Sequence, residues 1–320
     1  MKLRGLLLLA CACTYGVAQA QNFPSGPLRI IVPFPPGGGT DILARPVAQK
    51  LNERFKQPVV IENRGGANGT IGTAYVAKTA PADGHTLLFI PSGYAVNPSL
   101  YPALPYDQAR DLAAVTQLVS GPLTLVVHPS LPAKNVRELI GLAKTRPGEL
   151  NYGSSGIGSL PHLAGEWFAL SAGVRLSHVP YKGSGAATID VMSGEVPVYF
   201  MNVLQSLPFI KQGRLRALGV TGLARVAIAK DIPTVAEGGL KGFDMATWFG
   251  VLVPAATPRD IVTRLHGEIA AVLQQTDVRD RRTADGMTVV ASTPEQFTAF
   301  LKTETAKYAR VVQAAGIKAQ

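Results

Sequence analysis

The stretch Pro33-Phe34-Pro35-Pro36-Gly37-Gly38-Gly39-Thr40-Asp41 stands between an apolar run, residues 28–32, and a segment whose apolar residues recur at helical spacing, Leu43, Val47, Leu51 and Phe55. That order predicts a strand, a glycine-rich turn and a helix start within about a dozen residues. A helix start leaves backbone N–H groups unpaired at the positive end of its dipole. Three glycines let that backbone come close to a ligand, because no Cβ intervenes. The stretch reads as an anion cradle.

Working outward, residues 58–61 read as a second strand. Arg64-Gly65-Gly66-Ala67-Asn68-Gly69 follows as a second glycine turn, then a helix over 71–78 and a third strand over 86–90 that ends in Pro91-Ser92-Gly93. This β-α-β-α-β rhythm predicts a parallel sheet with helices on its faces. Ligands in such sheets bind beyond the carboxyl ends of the strands, where all three turns fall. Residues 97–111 read as an irregular connection. Two apolar runs, 112–120 and 123–128, are then separated by Gly121-Pro122, which is read as the crossing into a second domain.

The second domain repeats the pattern. An amphipathic helix over 135–145 precedes a strand beginning at Asn151-Tyr152, a turn Gly153-Ser154-Ser155-Gly156-Ile157-Gly158-Ser159 and a helix over 160–170. Residues 178–181 read as a strand, Lys182-Gly183-Ser184-Gly185 as a turn and 186–192 as a helix, with further strands at 196–200 and 215–220. Residues 243–254 recross to the first domain. Two helices finish the chain, announced by Thr257-Pro258-Arg259-Asp260 and Thr293-Pro294-Glu295-Gln296, each with Thr as cap and Pro at the first helical position. The expected fold class is α/β, with one domain at 21–121 plus 250–320 and another at 122–249.

Residues 1–20 read as a secretory signal: basic Lys2 and Arg4, an apolar stretch 6–12, and Ala18-Gln19-Ala20 as cleavage site. A lipoprotein reading through Leu8-Leu9-Ala10-Cys11 is weaker, since the apolar run before that cysteine is very short. Cys11 and Cys13 both lie within the signal, so a mature chain would have no thiol chemistry and no disulfides. A hydrophobic content of 47% over 320 residues is enough for the core alone to hold the fold. The formal net charge of +10 falls to +8 without Lys2 and Arg4. The basic residues are scattered and accompany no recognition motif, which argues against a nucleic-acid partner. The same field helps draw small anions toward a cleft.

The usual anion chemistries fail on residue grounds. A mononucleotide P-loop needs a lysine that residues 36–41 lack, and the dinucleotide fingerprint needs glycine where Ile42 stands. A nucleophile elbow at Ser155 needs glycine where Ile157 stands. The five histidines show no metal-ligand spacing and no calcium loop is present, so neither a metal nor a cofactor is expected. What remains is a cleft between two domains in which N–H groups and Ser/Thr hydroxyls meet one small anion. No catalytic residue is assigned.

At this point the sequence resembles a family, the tripartite tricarboxylate transporter substrate-binding proteins or Bug receptors. The resemblance is carried by Ile31-Val32-Pro33-Phe34-Pro35-Pro36-Gly37-Gly38-Gly39-Thr40-Asp41 with Ala44-Arg45, by Glu62-Asn63-Arg64, and by Ala82-Asp83-Gly84-His85-Thr86-Leu87. It continues through residues 95–101, His178-Val179-Pro180-Tyr181-Lys182-Gly183, residues 231–237 and Trp248-Phe249-Gly250, in the family's order. It implies a two-domain periplasmic-binding-protein type II fold that closes on a small organic carboxylate and delivers it to a membrane permease. It also implies grip by main-chain amides, at Phe34, Gly38, Gly39, Thr40, Asp41 and Ser92 on one domain, and at Ser154, Ser155, Gly156, His162, Gly183 and Ala186 on the other. Where many members carry Phe-Asp-Asn, this chain has Phe200-Met201-Asn202. Losing that acid favours a non-amino carboxylate whose apolar body would rest on Met201 and Tyr94. The alternatives are an exported hydrolase acting on a carboxylated substrate, or a component that presents its ligand to a sensor-kinase ectodomain.

Overall fold

A computed structural model describes residues 23–181 and 183–318. The signal and lipoprotein readings, and Lys182, lie outside the described residues.

The strand predicted before the glycine run is β1 (Leu28–Val32), and α1 (Gly39–Phe55) follows it, burying Leu43, Val47 and Leu51. β2 (Val59–Asn63), α2 (Thr70–Lys78) and β3 (Thr86–Pro91) complete the first unit, with β2 and β3 both parallel to β1. A tight turn, Ser92–Val96, runs into the single-turn helix α3 (Asn97–Leu100).

The largest departure from expectation comes next. The two runs separated at Gly121-Pro122 are one strand, β4 (Leu112–Val127). Gly121-Pro122 marks a change of neighbours, not a break. Residues 112–122 pair antiparallel with the later strand β9, whereas 123–127 pair with β7 and 124–127 with β8. Gly121 has its own reason to lack a side chain: a Cβ there would lie 3.0 Å from the Gly286 carbonyl oxygen.

Beyond the changeover come α4 (Val136–Thr145), β5 (Asn151–Ser154), α5 (Leu160–Ala172), β6 (Ser177–Pro180), α6 (Ser184–Ser193), β7 (Val198–Asn202), α7 (Val203–Lys211) and β8 (Arg216–Val220). β5 is parallel to both β6 and β7. The chain returns through β9 (Ala246–Pro254), which lies between β3 and β4. Among the described residues the strands form one curled sheet in the order β2-β1-β3-β9-β4-β7-β5-β6.

Three helices finish the chain rather than two: α8 (Arg259–Leu273), α9 (Thr276–Ala284) and, after the short strand β10 (Thr288–Val289), α10 (Pro294–Ala315). The two start signals behave differently. Thr293 and Gln296 form the reciprocal capping box, with the Thr293 hydroxyl accepting from Gln296 N at 3.2 Å and Gln296 Oε1 accepting from Thr293 N at 3.0 Å. Thr257 caps nothing; Pro258 takes the cap position of α8, and no side chain bonds to the helix start.

The changeover in β4 is held by Thr221, which is fully buried. Its hydroxyl oxygen accepts from Leu123 N at 2.8 Å and its hydroxyl donates to the Met245 carbonyl, while its own N–H donates to Leu123 O at 2.8 Å. One residue therefore ties β4 to both segments that flank the return crossing. Thr221→Val keeps the shape but strands a buried N–H and a buried carbonyl, so urea unfolding should show a loss of about 1–3 kcal/mol.

Candidate functional site

The loops predicted to form the site follow β1, β2 and β3 on one side and β5, β6 and β7 on the other. On the first side they touch. A Cβ on Gly69 would meet the Phe34 ring at 3.2 Å, one on Gly93 would meet the Asn68 side chain at 3.6 Å, and Asn68 Nδ2 donates to Asn97 Oδ1 at 2.8 Å. On the second side, a Cβ on Gly156 would lie 3.4 Å from the Tyr181 carbonyl oxygen. The two sides also meet: Gly158 packs so closely on Leu100 that a Cβ would lie 2.9 Å from its Cδ1. Leu100 belongs to the half built on β1–β3 and Gly158 to the half built on β5–β7.

Four helices of more than one turn start at these loops without a side-chain cap: α1 at Gly38, α2 at Gly69, α5 at Ser159 and α6 at Gly183. The first-turn N–H groups of an α-helix have no partner within the helix, and here no side chain takes their place. Each start therefore presents donors and the positive end of a dipole. Gly38 has φ −73° and ψ 165°, a conformation open to any residue, and the nearest atom to a Cβ there would be Pro35 O at 3.4 Å. Its own backbone does not demand glycine, unlike that of Gly37, whose φ is +79°.

Several expected contact residues are spent inside the protein. Asp41 is 1% exposed. Its carboxylate accepts from Arg45 Nε at 2.8 Å and Nη2 at 3.0 Å, from Gly37 N at 2.9 Å and from Asn63 Nδ2 at 3.0 Å. Asn63 also donates to the Phe34 carbonyl at 3.0 Å. Asp41 thus braces the cradle; its carboxylate has its partners in Arg45 and Asn63, which sequence reading quoted only as parts of motifs. The Arg45 guanidinium, followed by the Gly37 and Asn63 donors, holds the carboxyl below the usual 3.8 against the opposing pull of burial.

A group whose folded pKa is depressed contributes stability above its unfolded value and loses it as pH falls through the folded one. The Gly37 amide should therefore be protected relative to its intrinsic exchange rate at neutral pH, and lose that protection only below about pH 3.8. Asp41→Asn should show fast exchange already at pH 7.

Two further expectations are corrected. Tyr94 is 4% exposed and lines a different space, a cavity of about 1010 Å³ between residues 98–112 and α10. Met201 is fully buried in a cluster with Val126, Ala187, Val191 and Tyr199, because β7 is covered on both faces. Met201 offers no surface on which a ligand body could rest, and what Tyr94 offers faces the cavity by α10. Asn202 is half-buried and caps α7 through Oδ1, which accepts from Leu204 N at 3.0 Å. Thr40 and Ser92 are buried at the starts of their segments, whereas Gly39 and Ala186 are exposed.

In the second half, Ser154 is fully buried. Its Oγ lies 2.6 Å from His178 Nε2, accepts from Gly156 N at 3.1 Å and lies 3.1 Å from Gly156 O. His162 Nδ1 accepts from Gly158 N at 3.0 Å. The Gly156 amide, expected to reach a ligand, is therefore committed to Ser154. In the same loop the N–H groups of Ser155 and Ile157 have no acceptor among the described residues. Ser154 is buried, and its partner His178 is half-buried.

Uncapped helix starts after strands in both halves of a curled α/β sheet fit a solute receptor, and comparison with known proteins agrees. Residues 43–317 match the family described as tripartite tricarboxylate transporter family receptor. This chain belongs to that family. The receptor is 39% identical to protein BugT of Bordetella pertussis over 314 residues, 98% of this chain and 96% of BugT. Among solved structures, a Rhodopseudomonas palustris protein with adipate is 37% identical, with TM-score 0.79 over 93% of this chain and all of the other. The malate-bound MatC of the same organism is 30% identical, with TM-score 0.75 over 91% of this chain and all of the other. The receptor has the two-domain periplasmic-binding-protein fold of these relatives. No described helix is long and apolar enough to cross a membrane.

Proposed function

We propose that this receptor is periplasmic, takes one small organic carboxylate between its two domains, hands it to a membrane permease and performs no chemistry on it. The observation that carries this reading is the set of uncapped helix starts at Gly38, Ser159 and Gly183. Together they supply donors and dipole ends to an anion without a dedicated cation. Relatives crystallised with adipate and malate fit the same chemistry. The domains are 21–121 plus 250–320 and 122–249, joined through β4 and the Thr221 crossing.

The ligand is a non-amino acid. The one carboxylate among the expected contact residues, Asp41, is occupied by Arg45 and Asn63, so none is left for an ammonium group. Position 201, where the family resemblance leads one to expect an acid, holds a buried methionine. The hydrolase reading put its nucleophile at Ser155, but among the described residues the serine bonded to a histidine is Ser154, and no histidine bonds the Ser155 hydroxyl. Calorimetry against a panel of diacids and their amino analogues tests the ligand class. Adipate or malate should bind, and aspartate or glutamate should not; tight binding of the amino acids alone would overturn it.

A further inference from the structure

His162 and His178 lie behind the second-half loop and are the most closely packed pair of titratable rings among the described residues. Their ring centroids are 3.7 Å apart at an interplanar angle of 7°, and Tyr152 stacks on His178 at 5.0 Å. Each ring reaches forward to the loop that begins α5. His162 Nδ1 accepts the Gly158 N–H, and His178 Nε2 bonds to the Ser154 hydroxyl, which in turn takes the Gly156 N–H. Ser159 N and Oγ both donate to the Gly156 carbonyl. The loop's N–H groups therefore divide into two sets. Among the described residues, those of Gly156, Gly158 and Ser159 are spent on the protein, and those of Ser155 and Ile157 are not.

We propose that His162 and His178 are positioning residues: through Gly158 and Ser154 they hold residues 154–159 in the conformation that keeps the Ser155 and Ile157 amides available to the ligand carboxylate. This rests on the carboxylate-receptor reading. It also replaces the expectation that His162 itself touches ligand.

The arrangement works only with His162 neutral. An Nδ1 that accepts a hydrogen bond carries no proton, and a proton there would face the Gly158 N–H donor to donor. The groups around the pair agree with neutrality. Glu166 on α5 is 3.9 Å from His162 Nε2, but it also accepts from Tyr152 OH at 2.5 Å, and burial raises its pKa. On the side toward α10, Glu166 shares a cavity with Arg175, and the α10 residues lining that cavity, Val311, Ala314 and Ala315, carry no charge. Burial, reinforced by the neighbouring ring, pushes His162 down to about 3, and burial pushes His178 down to about 4. Between the unfolded value of 6.5 and these values the unfolded chain binds protons that the folded one refuses, so acid works against the folded loop.

The test uses the mature protein with adipate and malate as probes. His162→Leu keeps the burial but removes the acceptor, and His162→Gln restores one that does not titrate. Calorimetry at pH 7.5 should show about a tenfold or greater loss of affinity in H162L, the consequence of one loosened charge-assisted contact, with most of it recovered in H162Q. Because His162 is held down to about 3, it stays neutral in the folded protein well below pH 7.5, and the wild-type and H162Q profiles should run parallel from pH 7.5 down to 5, the diacid titrating alike in both. Equal affinity of H162L and wild type at pH 7.5, or no recovery of affinity in H162Q, would overturn the proposal.

Amide exchange in the ligand-free protein separates this idea from the receptor reading. Gly158 should lose protection in H162L and keep it in H162Q. If neither diacid binds, the receptor reading loses its support, and unchanged Gly158 protection in H162L would by itself overturn the positioning role.

Discussion

Gly38→Val should abolish capture while leaving the fold intact. Gly38 is the cap residue of α1, with φ −73° and ψ 165°, and a side chain there would meet only Pro35 O at 3.4 Å. The protein can therefore accommodate valine, at about 1 kcal/mol for a poorer cap residue. A ligand cannot. Two γ-methyls would stand over the N–H groups of the α1 start, which are to receive the carboxylate. Each charge-assisted hydrogen bond lost costs about 1.5–3 kcal/mol. Two of them, at 1.4 kcal/mol per factor of ten, correspond to roughly a hundredfold loss or more. Calorimetry with the tightest-binding diacid reads the loss, and thermal unfolding reads the intact fold. Undiminished affinity would place the ligand elsewhere.

The second large effect is on stability. Glu304 on α10 is 4% exposed. Its carboxylate accepts from Trp248 Nε1 on β9 at 3.0 Å and pairs with Lys307 Nζ at 2.5 Å, and Lys307 also donates to the Asp244 carbonyl at 3.3 Å. This network pins the final helix to the strand that returns between the domains. Around it Trp248 packs edge to face on Phe297 and Phe300, and Gly250 has no room for a Cβ against the Phe297 ring.

Glu304→Ala leaves a mostly buried ammonium and a buried indole N–H without their acceptor, a loss of about 3–5 kcal/mol. For a large domain each kcal/mol moves the melting temperature by about 2–4 °C, so a drop of roughly 6–20 °C is expected. Glu304→Gln keeps an acceptor for Trp248 but not the charge, and should fall between. A melting temperature within about 2 °C of wild type in Glu304→Ala would show that the network contributes little.

Elements with a local signal were legible before any coordinates. The run into Gly37-Gly38-Gly39, the parallel rhythm that follows it and the capping box at Thr293 all stand where the residues placed them. β4 was misread because Gly121-Pro122 punctuates a sequence as a turn does. Only the surrounding strands show that the chain runs on while its neighbours change. α9 was missed because Thr276–Ala284 is charged nearly all round and buries only Val278 and Arg282, leaving no apolar period to read.

The site divides in the same way. Its loops were legible, because glycine turns after strands are local features. Which side chains face the ligand space was not. β7 is buried on both faces, so nothing in its residues told Met201 from a cleft-lining position. The partners that commit Asp41, Ser154 and His162 include residues distant in the chain, Asn63 for Asp41 and His178 for Ser154, and even the near ones depend on loop conformation.

The account stands most directly on what the protein carries when isolated from its own cells under native conditions. Mass spectrometry of the denatured protein should release one carboxylic acid without an amino group, close to one per chain, chemically unaltered after prolonged incubation and absent from the Gly38→Val variant. Release of a hydrolysis product, or the same acid recovered equally from Gly38→Val, would contradict capture of an intact carboxylate at the uncapped helix starts.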